Sequence, residues 1–119
     1  MSDQFSLNPI PNITVEQLAE RLNASPDDLQ LLDVREPEEV AIACIEGFTN
    51  LPLSQYDQWS TQIATKFDPH TETLVLCHHG IRSAHMCQWL STQGFTNVKN
   101  ISGGIDAFSQ IVDPSVPRY

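Results

Sequence analysis

The stretch that most restricts what this chain can become is Thr73-Leu-Val-Leu-Cys77-His78-His79-Gly80-Ile81-Arg82-Ser83. Leu74, Val75 and Leu76 form a short apolar run of the kind that becomes a buried strand, and Ala84 to Leu90 reads as a helix with Ser83 as its N-cap. A strand that stops at a cysteine, turns through a glycine and enters a helix makes an anion cradle. Loop N–H groups can point inward, and the helix N-terminus adds partial positive charge. The same field favours thiolate over thiol, which makes Cys77 the expected nucleophile.

The rest of the chain reads as arranged to present this loop. Residues 1–12 form a lead-in stiffened by Pro9 and Pro11, and Ile13 reads as a minimal edge strand. Thr14-Val-Glu-Gln17 fits a capping box, and Val15, Leu18, Ala19 and Leu22 make one apolar helix face. After a loop at 23–28, Leu29 to Val34 is a buried strand that closes on Asp33. Pro37 with Glu38 and Glu39 opens a short helix, and Asn50 to Leu53 reads as a short strand. Ser54 then caps a helix predicted from about Gln55 to Phe67, with Tyr56, Trp59, Ile63 and Phe67 along one face. Past the cysteine loop, Met86, Trp89 and Leu90 mark a buried helix side, and Gly94 is the C-cap. Asn97 to Ile101 is a strand, Ser102-Gly-Gly104 turns into a last helix bearing Ile105, Phe108 and Ile111, and 113–119 is a non-helical tail. Strands alternating with helices imply an α/β fold, a mostly parallel sheet with helices on both faces, in one domain spanning 1–119. Ligand sites in such sheets lie beyond the C-terminal strand ends, where Cys77 and Asp33 to Arg35 fall.

A net charge of −9 argues against nucleic acid and against an anionic membrane surface as partners. No run approaches the ~18 apolar residues of a membrane span. The first residues lack the basic and apolar regions of a signal peptide, and three cysteines without framework spacing suit a reducing cytoplasm. A single domain of this size can stand as a monomer. The acids are unevenly placed. None lies between Thr73 and Ile105, where Arg82, Lys99 and three of the four histidines fall, so the face around Cys77 is expected to avoid negative charge.

Four separated blocks resemble the rhodanese (sulfurtransferase) family in the right order: Leu32-Asp33-Val34-Arg35-Glu36-Pro37-Glu38-Glu39, Cys44-Ile-Glu-Gly47 through Asn50-Leu-Pro-Leu53, the Cys-x4-Arg loop from Cys77 to Ser83, and Gly103-Gly104-Ile-Asp-Ala-Phe108. The His-His pair and the tail ending in Pro-Arg-Tyr119 are similar to those of a bacterial subset of single-domain members. The chain departs from the family pattern at Ala43, Cys44, Glu46 and Phe108. Cys44 reads as a small apolar residue, with a second role as resolving thiol if it lies near the loop.

The resemblance implies sulfur transfer by double displacement. Cys77 takes a sulfane sulfur from a small donor anion such as thiosulfate, or from a persulfide, and passes it to a thiol or a sulfur-acceptor protein, with no metal or organic cofactor. His78, His79, Gly80, Ile81, Arg82 and Ser83 would bind the donor. Arg82 either turns inward to the donor or pairs with an acid such as Asp33 or Glu38, and Asp33 and Arg35 support the loop. Three alternatives stand beside this reading. A phosphatase or arsenate reductase of this fold uses a loop one residue longer. A low-turnover carrier or regulatory module needs no fast chemistry. A metal site from Cys77, His78, His79, His85 and Cys87 lacks convergent spacing.

Overall fold

The computed structural model describes residues 10–24 and 27–119. The lead-in over 1–12 and the loop over 23–28 therefore lie partly outside the described residues. Five strands, β1 (Asn12–Ile13), β2 (Leu29–Asp33), β3 (Thr49–Asn50), β4 (Glu72–Leu76) and β5 (Val98–Ile101), form one sheet in the order β1-β5-β4-β2-β3. Every pairing is parallel. Helices α1 (Val15–Ala24), α2 (Pro37–Ile42), α3 (Tyr56–Trp59), α4 (Ile63–Lys66), α5 (Ile81–Thr92) and α6 (Gly104–Ile111) fill the connections. The α/β architecture and the alternation of elements are as the sequence predicts.

The pleat of β4 divides the core in two. Leu74 and Leu76 pack with Val15 and Leu18 of α1 and with Ile105 and Phe108 of α6. Val75 and Cys77 face the other way, among Trp59, Ile63, Met86, Cys87 and Leu90. Alternate residues along one strand thus reach opposite layers, and Cys77 is delivered to the α5 side.

Local chemistry explains the element ends. Thr14 and Gln17 exchange the two hydrogen bonds of the expected capping box, at 2.9 and 3.1 Å. Glu36 and Glu39 do the same for α2, with Pro37 at its first position. At the far end of α5, Phe95 N–H reaches Leu90 O at 3.1 Å and Gly94 N–H reaches Ser91 O at 3.3 Å, with Gly94 left-handed at φ +92°. That pairing closes the helix and folds Phe95 back into the core. At the opposite edge from Cys77, Glu72 holds Arg21 at 3.0 Å and Lys99 at 2.6 Å, tying α1 to β4 and β5.

Three expectations are corrected. The strand expected over 50–53 ends at Asn50, and Leu53–Gln55 is a 3₁₀ turn. The helix expected over 55–67 is two single turns, α3 and α4, joined by a 3₁₀ turn at Ser60–Gln62. Side-chain anchoring sets that break: Trp59 Nε1 donates to Pro52 O at 2.8 Å and its ring meets Tyr56 and Trp89 edge-on, while Ile63 inserts separately. Ser54 does not cap this segment; its hydroxyl donates to Glu36 instead.

Candidate active site

Cys77 follows the last residue of β4 and is 1% exposed. Its Sγ accepts the Gly80 N–H at 3.0 Å and lies 3.2 Å from Ser83 Oγ. Gly80 sits at φ +99° as the residue before α5, and a Cβ there would come 3.2 Å from Gly103 N. Ser83 is not the N-cap expected of it. The helix begins two residues earlier, at Ile81, which turns the Ser83 hydroxyl inward beneath the sulfur.

That hydroxyl also donates to Asn100 Oδ1 at 2.5 Å. Asn100 in turn donates to Gly80 O at 3.0 Å and Asn12 Oδ1 at 3.2 Å, so one buried amide ties the loop to two strands. A hydroxyl has a single proton, which cannot serve both the amide oxygen and the sulfur. A Cys77 thiol donates to Ser83; a thiolate draws the Ser83 proton toward itself.

The N-terminus of α6 shapes the loop from outside. Ile105 N–H donates to Cys77 O at 3.0 Å and Asp106 N–H to His78 O at 3.1 Å. These are first-turn N–H groups without partners inside their own helix. A trans peptide points its C=O and N–H to opposite sides. Drawing both carbonyls toward α6 therefore turns the N–H groups of His78 and His79 away from α6. Gly104, at φ +61°, permits this approach: a Cβ there would fall 2.4 Å from His78 O.

A second network holds the loop ends. Of its two expected roles Arg82 takes the pairing with an acid, but that acid is Glu39, gripped two-pronged at 2.7 and 2.9 Å, and neither Asp33 nor Glu38. Asp33 instead accepts from the backbone N–H of Arg35 at 3.0 Å and grips its guanidinium at 2.7 Å, with both residues buried. Arg35 Nη1 donates to Tyr119 Oη at 3.0 Å, and Tyr119 Oη donates to Glu39 Oε2 at 2.9 Å. The Tyr119 ring stacks on His78 with centroids 3.9 Å apart. Glu39, Asn100, Gly104 and Tyr119 are thus parts of the site that sequence reasoning did not assign to it; for Gly104 the Gly-Gly block was the available signal. The acid-free stretch of sequence does not make an acid-free face, since Glu39 and Asp106 fold in from elsewhere.

The Arg82 guanidinium, opposed by partial burial, holds the Glu39 carboxyl at about 2. A carboxyl depressed on folding contributes stability that is present above its unfolded value and lost as pH falls through the folded one. Its contribution should therefore fade between about pH 4.5 and about pH 2. Glu39→Gln is expected to cost roughly 1–2 kcal/mol near neutral pH and to converge on wild type at the acid end of that window. Thermal melts of both proteins across the window check this; a gap that stays constant with pH would contradict it.

His78 also stacks on His79, with centroids 3.9 Å apart, and burial together with His79 lowers its basicity. His79 Nε2 lies 3.9 Å from Asp106 Oδ2. Ligand-type atoms of His78, His79 and Asp106 lie within 4.8 Å of one another. The stacked imidazoles direct their lone pairs along nearly parallel planes, and Asp106 is engaged by Arg118 at 3.0 Å and Gln110 at 2.8 Å, so the set is poorly shaped to hold a tetrahedral ion. All three cysteines are free. Cys87 is buried, and burial pushes its thiol up to about 12. Cys44 is exposed, not packed as a small apolar residue. No helix among the described residues is long and apolar enough to cross a membrane.

An all-parallel sheet sheathed on both faces, with a cysteine at the C-terminal strand edge leading through a tight loop into a helix, defines an α/β domain with a cysteine-bearing loop at a helix N-terminus. The chain belongs to the rhodanese-like domain family, whose match spans residues 14–111. It is 45% identical over 113 residues to Rhodanese-like/PpiC domain-containing protein 12, chloroplastic, of Arabidopsis thaliana, covering 93% of this chain but only 38% of that protein. It is 32% identical over 101 residues to a protein of Allochromatium vinosum named Sulfurtransferase, covering 85% of this chain and 90% of that one. The crystal structure of a rhodanese-like domain protein from Staphylococcus aureus has the same fold, with a TM-score of 0.73 at 24% identity over 92% of this chain and 99% of that one.

Proposed function

We propose that this domain is a sulfurtransferase that carries sulfane sulfur on Cys77. The observation that carries the reading is the placement of a buried Cys77 Sγ against the Gly80 N–H and the Ser83 hydroxyl, at the N-terminus of α5. The Cys77 thiolate attacks the outer sulfur of a donor such as thiosulfate. The donor S–S bond breaks, sulfite leaves with its electron pair, and a Cys77 persulfide remains. A thiolate or cyanide then attacks the outer persulfide sulfur and Cys77 leaves as thiolate. No electrons are gained or lost overall, so the cycle needs no metal or organic cofactor. The Gly80 N–H and the α5 N-terminus stabilise the anionic sulfur at each stage.

In this scheme Arg82 fastens the loop through Glu39 and does not bind the donor. His79, with its side chain 59% exposed, is the loop imidazole that an incoming anion can reach. The loop encloses four residues between Cys77 and Arg82, which suits one added sulfur better than a tetrahedral phosphate or arsenate. The acceptor is a small thiol or a sulfur-acceptor protein. The test is intact mass before and after thiosulfate or a low-molecular-weight persulfide. A gain of about 32 Da, reversed by cyanide or a thiol, is expected. Absence of the adduct with every sulfane donor would defeat the proposal.

A further inference from the structure

The segment after α6 is built into the molecule. Asp113 N–H and Val112 N–H both reach Phe108 O, at 3.0 and 2.9 Å, and Ser109 Oγ donates to Val116 O at 2.5 Å. Val116 packs on the α1–α6 core, and Arg118 Nε holds Asp106 at 3.0 Å. These anchors bring Tyr119 over the cysteine loop, where its two halves make different contacts. The ring lies on His78, 3.9 Å between centroids and 7° from parallel. The hydroxyl accepts from Arg35 and donates to Glu39, the carboxylate that grips Arg82.

We propose that Tyr119 is a positioning residue that clamps the Cys77 loop at both of its ends, His78 through the ring and Arg82 through Glu39. Between those ends lie His79, Gly80 and Ile81, of which Ile81 is 69% exposed and gains little support of its own. A loop that must receive an extra sulfur without losing the aim of its N–H groups needs its ends fixed. One side chain supplies both fixings. The hydroxyl does so with a full set of partners: burial keeps the phenol protonated, so its proton goes to Glu39 while its oxygen receives the Arg35 N–H.

The effect on sulfur uptake rests on the sulfur-carrier reading; the effect on the loop does not. Two measurements separate them. The first is the rate of Cys77 alkylation by anionic iodoacetate relative to neutral iodoacetamide, read on the Cys77 peptide by mass so that exposed Cys44 does not contribute. The second is single-turnover sulfur uptake from thiosulfate, giving a saturating rate and a half-saturation concentration. Tyr119→Ala is expected to lower the iodoacetate preference about threefold and the saturating uptake rate about tenfold, with a smaller change in half-saturation. Tyr119→Phe keeps the ring on His78 and should show the smaller part of both losses. It also keeps the question answerable if the alanine variant folds poorly. Wild-type alkylation ratios in both variants, whatever their melting temperatures, would overturn the assignment. If wild type takes up no sulfur but the variants still shift the alkylation ratio, the sulfur-carrier reading fails and the clamp stands.

Discussion

Cys77→Ser is expected to abolish sulfur uptake, with no persulfide adduct after any sulfane donor and a fall in rate on the order of a thousandfold or more. The expectation follows from the three cysteines having different surroundings. Cys87 is buried with its thiol pushed up to about 12, so almost none of it is thiolate near neutral pH. Cys44 is exposed and no hydrogen bond among the described residues gives it the backbone N–H donor and hydroxyl partner that Cys77 has. A serine at position 77 can still accept the Gly80 N–H, so the fold should persist while the nucleophile is gone. Cys44→Ser and Cys87→Ser should both keep the adduct. A full mass gain on Cys77→Ser would move the chemistry to another thiol and remove the role assigned to this loop.

The second large effect belongs to Gly104→Ala. The added methyl would lie 2.4 Å from His78 O, 2.5 Å from Cys77 O and 2.6 Å from His78 C, all backbone atoms held by hydrogen bonds from α6. No rotamer relieves such a clash. The left-handed φ of +61° adds strain for any residue with a Cβ. Together these should cost roughly 3 kcal/mol or more, unless the loop moves off α6. Either response undoes the peptide orientation that turns the His78 and His79 N–H groups away from α6. Sulfur uptake should therefore fall at least about tenfold even where the protein remains folded. Chemical denaturation and single-turnover uptake on one preparation check both halves. Wild-type values in both would show that the close approach of α6 has no part in the site.

What could be read from the sequence was whatever repeats locally. The apolar run at Leu74 to Leu76, the periodicity of α1 and α5, the Pro37 and Gly94 punctuation and the strand–cysteine–glycine order all carry their meaning within a few residues. The rest depends on pairs far apart in the chain. Arg82 and Glu39 are 43 positions apart, and Tyr119 and Glu39 are 80 apart. Nothing local distinguishes Glu39 from Glu38 or Asp33 as the partner of Arg82. The choice is made by where α2 ends up and by Asp33 being already committed to Arg35. The helix expected over 55–67 failed for a similar reason: its aromatic spacing is genuine, but Trp59 is anchored to Pro52 and packed against Trp89, and the backbone breaks to satisfy them. Ser83 was misplaced because a serine after a loop resembles a cap, whereas Gly80 had already supplied the turn into the helix.

The strand order has a consequence for how the domain comes into being on the ribosome. Among the described residues, β1 joins the sheet only by pairing with β5, Asn12 beside Asn100 and Ile13 beside Ile101. Every neighbour in this sheet is parallel, so none of its pairings can begin as a hairpin, and each waits for a crossover to be synthesised. Asn100 and the first turn of α6, which fasten the cysteine loop, follow Cys77 in the chain and are made after it. Cys77 therefore leaves the exit tunnel before its cradle exists, and for that interval it is an ordinary thiol on an unfinished sheet edge. The hydrogen bonds around its sulfur arrive with the closing of the fold rather than with the strand that carries it.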